Sequence, residues 1–106
     1  MSEELLKQSN DIDYGSIYKT KLPVKMIKKD GSKEDFNVQK VINAVGKSAY
    51  RALTKFNDEE KDRICRYVVE KVDELEQDEI PIPIMHNIVE SALEQVKPIV
   101  AKSYRD

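Results

Sequence analysis

The chain predicts an α+β domain in which a small β-hairpin, extended by one strand to a three-stranded sheet, covers a cluster of four helices. Three observations carry this expectation. The turn dipeptide Asp30-Gly31 stands between two short runs that mix apolar and basic residues. Two later stretches place apolar residues at helical spacing directly behind an Asn. Prolines at 81, 83 and 98 then divide the last part of the chain into a short extended piece and two further helix starts.

Residues 1–22 show no period and carry Asn10, Asp11, Asp13, Gly15 and Ser16, so they read as an irregular leader with Tyr14, Ile17 and Tyr18 as docking residues. The domain proper is expected over 23–106. Residues 24–29 and 33–36 form the hairpin, since Gly tolerates a positive φ and Asp tolerates the left-handed region. Asn37 caps the first helix, whose stripe Val38, Val41, Ile42, Val45 and Ala49 reaches about Leu53. Asn57 caps the second, with Asp58, Glu59 and Glu60 in the turn where the positive helix end favours acids, and Ile64, Val68, Val72 and Leu75 facing inward. Residues 79–83 read as a non-helical edge strand because of their prolines. Pro83 opens a third helix over 83–96, with Ile84, Ile88, Val89, Ala92, Leu93 and Val96 as its apolar set. Pro98 opens a fourth with Ile99, Val100 and Tyr104, only about two turns long, so the last helix is expected to be truncated.

Composition excludes several classes. With 106 residues, 40% hydrophobic and 36% charged, the chain can bury one modest core. It has no apolar run of the roughly 18 residues a membrane helix needs. The opening MSEELLKQSN lacks the basic-then-apolar order of a secretory signal, which points to the cytoplasm. The single cysteine, Cys65, excludes an internal disulfide and a multi-cysteine zinc site, and its place beside an apolar stripe makes it a buried thiol. Neither a Walker A loop, nor a dinucleotide-binding glycine fingerprint, nor metal-ligand spacing occurs. Charge is unevenly sorted: residues 19–55 hold ten bases against three acids, a balance of +7, and residues 56–79 hold four bases against ten acids, a balance of −6. Such a positive segment attracts phosphates, on a nucleotide or on a nucleic acid.

Its densest part is Lys28-Lys29-Asp30-Gly31-Ser32-Lys33, just ahead of a helix start at Asn37. Lysines and free helix-start N–H groups together suit an anion; the same lysines could equally be a solvated guard on a sheet edge. His86 falls off the apolar stripe, at a boundary where it can serve a ligand or pair with Glu90. The tyrosines are too dispersed for a base-stacking platform.

The run from Val24 through Lys28-Lys29-Asp30-Gly31 and Phe36-Asn37 to Lys40-Val41 resembles the start of an ATP-cone domain. The stretch from Ile80 to Glu90 resembles that family's strand-to-helix element, and Val100–Arg105 the beginning of its last helix, so the likeness covers residues 24–106. The resemblance implies a non-catalytic, allosteric domain that senses ATP and dATP, as at the N-terminus of ribonucleotide reductase catalytic subunits. It implies ATP or dATP with Mg²⁺ as effector, the rest of the reductase subunit and other cones or subunits as partners, and neither membrane nor nucleic acid. Carried over by position, it implies phosphate contacts from Lys28 and Lys29, the turn at Gly31, and adenine-edge reading by Glu34 and Asn37. Lys40 belongs to the same pocket, Met26 lines the base, and His86 lies near sugar and phosphates. Lys29 stands where arginine is common, and Ile82 occupies a ligand-facing place where some members carry a hydroxyl. Three other readings remain: a cone-type module of another protein, an interaction domain without a ligand, and a nucleic-acid-binding module, whose mark would be steep salt dependence.

Overall fold

Two glycine-poor strands and a proline-bounded third one make the sheet, and the helices between them supply the crossover. A computed structural model of the chain describes residues 12–105. The order is α1 (Tyr14–Ile17), β1 (Lys25–Ile27), β2 (Lys33–Asp35), α2 (Val38–Arg51), α3 (Asp58–Leu75), β3 (Glu79–Pro81), α4 (Ile82–Val96) and α5 (Pro98–Arg105). Residues 1–11 of the expected leader lie outside the described residues.

The sheet runs β2-β1-β3, with β1 antiparallel to β2 and parallel to β3. A parallel pair needs a long crossover, which α2 and α3 provide. Met26 stands opposite Glu34 on one side and Ile80 on the other, so these three side chains share a face. Ile80 is fully buried, which makes that the face laid on the helices. The outer face carries the ion pairs Lys25–Asp35 at 2.7 Å and Lys33–Glu79 at 2.6 Å. The strands are shorter than expected because the chain turns at once after Ile27. Lys28 N–H donates to Ser32 O, Gly31 N–H donates to Lys28 O, and Gly31 sits at φ 89°. Lys28 and Lys29 are therefore turn residues rather than strand residues on opposite faces.

The helix starts follow their caps. Asn37 Oδ1 accepts from Gln39 N–H at 2.8 Å, and Val38, Val41, Ile42, Val45 and Ala49 are all buried behind it. Asn57 and Glu60 form a reciprocal capping box at the head of α3, and Glu76 in the left-handed region ends that helix. Ile64, Cys65, Val68 and Val72 face the core, with Leu75 half-buried at the end of the stripe.

Three expectations about the last third need correction. Helix α4 begins at Ile82, with Pro81 as its cap, so 82–83 are helical rather than extended. Pro83 takes the second helical position, where the missing N–H has no intrahelical partner to lose. The buried stripe is Met85, Val89, Ala92 and Leu93: Met85 is 3% exposed while Ile84 is 39% exposed. In α5, Val100 and Ala101 turn inward and Ile99 turns out. Ser103 Oγ donates to Ser48 O at 2.9 Å and ties α5 to α2.

The described part of the leader is not irregular throughout. Tyr14 is buried in the core and stacks on Tyr18 with ring centroids 6.3 Å apart, whereas Ile17 is exposed. Tyr14 N–H donates to Gln39 Oε1 at 2.7 Å, and Lys21 N–H donates to Asp73 Oδ1 at 3.0 Å, so the segment is strapped across the head of α2 and reaches the end of α3.

Candidate functional site

The register of the hairpin puts Glu34 on the helix-facing side of the sheet, half-buried beside the start of α2. Its two oxygens are shared between two ammonium groups, Lys28 Nζ at 3.0 Å and Lys40 Nζ. Lys40 lies in the first turn of α2, a turn that contains no acid, whereas the first turn of α3 contains three. A cation there opposes the helix dipole, typically at about 0.3–1 kcal/mol. The Glu34 carboxylate offsets that cost, and an anionic ligand placed beside Lys40 would gain from the ammonium and the helix end together.

Beyond Lys40 a cleft of about 490 Å³ opens between α2, α4 and α5. Lys40, Asn43, Ala44, Lys47, Ser48 and Arg51 line it from α2, His86 from α4 and Tyr104 from α5. The α2 residues recur at three-, four- and seven-residue spacing, which is one helix face. Arg51 donates to Ser48 Oγ at 3.1 Å, and the Tyr104 ring meets His86 edge-on with centroids 5.9 Å apart. Burial, with the charge of Glu90 in second place, pushes the Tyr104 hydroxyl above its ordinary range, so it stays a neutral donor and acceptor at pH 7. Three cationic side chains, Lys40, Lys47 and Arg51, face this cleft, and among the described residues no carboxylate lines it. A separate groove of about 860 Å³ carries the opposite sign, with Asp73, Glu76, Asp78 and Glu79 around Lys21. Part of the charge division along the chain is thus carried into space, with Lys40, Lys47 and Arg51 on one surface and Asp73, Glu76, Asp78 and Glu79 on another.

The residues singled out from sequence fall into three groups. Met26, Lys28, Glu34 and Lys40 gather where the sheet meets α2, with Asn37 one turn ahead of Lys40. His86 joins them through the cleft that it and Lys40 both line, and Ile82 stands half-buried one turn before it. Lys29 and Gly31 stay in the exposed hairpin turn, outside the cleft lining. Of the two readings of His86, the surface pair with Glu90 is not formed: Glu90 accepts from Arg105 at 2.8 Å, and His86 packs on Tyr104 instead. To these the structure adds Asn43, Lys47, Ser48, Arg51 and Tyr104 as lining residues of the cleft, none of which the sequence alone singles out as a site residue. The signal for Lys47 and Arg51 was present, because with Lys40 they form a basic stripe opposite the apolar one.

Cys65 is buried, and burial pushes its thiol from 9.0 up to about 12, so it is no nucleophile at neutral pH. Among the described residues no cluster of three or more His, Cys, Asp or Glu side chains could hold a metal, and no helix is long and apolar enough to cross a membrane.

Such a cationic cleft next to a lysine-flanked carboxylate has the charge and donors that suit a phosphorylated ligand. The family model for the ATP cone domain matches residues 24–106. The chain belongs to the ATP cone family, whose members are nucleotide-sensing regulatory modules rather than catalysts and bind ATP or dATP as effectors. None of the curated proteins compared with it matches the chain.

Proposed function

We propose that this chain is the ATP/dATP-sensing domain of a cytoplasmic ribonucleotide reductase and sets the overall activity of that enzyme. The observation that supports this reading best is the junction at Lys40, which belongs both to the Glu34 carboxylate cluster and to the acid-free cleft. The two ends of a nucleotide need those two environments. An ionised Glu34 only accepts, and Asn37, whose Oδ1 already accepts from Gln39 N–H in capping α2, would offer a ligand its Nδ2 amide as donor. Reaching one base together, such an acceptor and donor would complement the N6 amino group and a ring nitrogen of adenine, whereas guanine in the same pose presents O6 in place of the amino group. Lys28, Lys40, Lys47, Arg51 and His86 would then face the phosphates, with Mg²⁺ carried on them, and Met26 and Ile82 would line the base and sugar. Lys29 would contribute from the turn as a point charge.

ATP and dATP differ only by the 2′-hydroxyl, so the switch lies in which surface each ligand stabilises. A ligand of equal affinity for both states of the domain shifts nothing. Sheet, α2, α4 and α5 all border the site, so a sugar-dependent shift at His86 and Tyr104 would alter the face offered to the rest of the reductase or to another cone.

Isothermal titration with the Mg²⁺ salts of ATP, dATP and GTP tests the reading. Heat from both adenine nucleotides and none from GTP is expected. Equal binding of all three, or binding of random-sequence DNA with a steep salt slope, would overturn it.

A further inference from the structure

The segment strapped across the head of α2 approaches the site more closely than any side chain could. A Cβ built on Gly15 would lie 2.9 Å from Asn37 Cγ and 3.0 Å from its Nδ2, and closer still to Oδ1. Gly15 has no positive φ, so a side chain placed here would act through contact, by displacing the Asn37 amide, and not through backbone strain. On its near side the strap is held by the buried Tyr14 ring and by the Tyr14 N–H donating to Gln39 Oε1. Further along it is held by the Lys21 N–H donating to Asp73 Oδ1. Asn37 itself remains exposed, so the strap abuts its amide without covering it.

Two constraints therefore fix one amide group. The Gln39 N–H requires an acceptor, which settles that Oδ1 faces the helix, and the Gly15 backbone closes the space into which the amide could otherwise swing. A cap residue on an exposed helix start usually keeps some rotamer freedom, and freezing it before a ligand arrives removes an ordering cost from binding. Resting on the reading of Glu34 and Asn37 as the adenine-recognising pair, we infer that Gly15 is a positioning residue for base selection: the strap, packed against the Asn37 amide, fixes how that amide is presented. Residues ahead of the hairpin are in this way part of the specificity apparatus.

The test compares the intact chain with its Gly15→Ala variant, reading the affinity ratio of ATP to GTP by competition against a fluorescent adenine nucleotide, with the melting temperature read in parallel. The variant should bind ATP tenfold or more weakly, and its ATP-to-GTP ratio should fall by a similar factor. A role confined to stability would weaken both nucleotides in parallel and leave the ratio where it was, and that result overturns the inference while the adenine site stands. If the unsubstituted chain itself shows no preference for ATP, the site reading fails first and the inference falls with it. Should Gly15→Ala not fold, Gln39→Ala frees the strap at its neighbouring anchor without a clash. The same drop in ratio is expected there, and an unchanged ratio overturns the inference.

Discussion

Glu34 and Lys40 are joined across the junction of sheet and helix: the carboxylate in the middle of β2 accepts from the ammonium in the first turn of α2. Their side chains are 26% and 58% exposed, so the pair itself adds little to stability, on the order of 0–1 kcal/mol. In the proposed reading its place at the mouth of a cationic cleft gives it a different use: a phosphorylated ligand would draw Lys40 away from Glu34 and leave that carboxylate to the base.

Lys40→Ala should accordingly separate binding from folding. Nucleotide affinity is expected to fall tenfold or more, while the melting temperature moves by no more than about 4 °C. Lys28→Ala should show the same pattern and exceed Lys29→Ala in its effect on affinity, because Lys28 reaches Glu34 whereas Lys29 stays in the turn. Calorimetric titration beside thermal melts reads both quantities. Unfolding of Lys40→Ala would show that the pair is structural.

The cleft predicts an electrostatic signature. Lys47→Glu and Arg51→Glu place acids where the lining has none, and each should weaken ATP binding at least tenfold. Lys71→Glu, on α3 beside Tyr67 and away from the cleft, should leave binding within about twofold, because exposed charges beyond a Debye length of ~8–10 Å are largely screened. Binding by the unsubstituted chain should weaken as salt is raised, and the two acid variants should flatten that dependence.

Most of the architecture was legible because it rests on local signals. The stripe of α2, the caps at Asn37 and Asn57, and the Asp30-Gly31 turn involve residues within a few positions of one another. What escaped depends on partners distant along the chain. The strap carries no period, and its meaning lies in contacts such as Tyr14 to Gln39, 25 residues apart. The cleft exists only once α5 packs on α2 and brings Tyr104 beside His86. The phase of α4 was ambiguous for another reason: Ile84 and Met85 are adjacent and both apolar, so periodicity admits either, and packing against the other helices selects Met85.

That selection is measurable. Met85→Ala should destabilise the domain by about 2–5 kcal/mol, the usual cost of emptying a buried site. Ile84→Ala, on a partly exposed side chain, should cost less than about 1 kcal/mol. Urea unfolding monitored by circular dichroism separates them, and equal costs would contradict the assigned helix phase.

Alkaline pH should lower the stability of the fold. Burial raises Cys65 from 9.0 to about 12 and, with smaller help from nearby acids, also raises Tyr14 and Tyr104. Between those limits the unfolded chain has released protons that the folded one still holds, so stability falls as pH rises. The contribution of Cys65 is complete below pH 9 and is lost progressively toward pH 12. Urea midpoints taken at neutral pH and at about pH 10.5 should show the decline, and Cys65→Ala should make it shallower. A midpoint that rises with pH over this range would contradict the buried, neutral state of these groups.

The account turns on where an adenine nucleotide sits, and amide chemical-shift mapping of the ¹⁵N-labelled chain during an ATP titration tests this most directly. The expected result is a contiguous set of perturbations at Glu34, Asn37, Lys40, Lys47, His86 and Tyr104, saturating with a single affinity. Perturbations gathered instead at Lys21, Asp73 and Glu79 around the acidic groove, or none up to millimolar ATP, would contradict it.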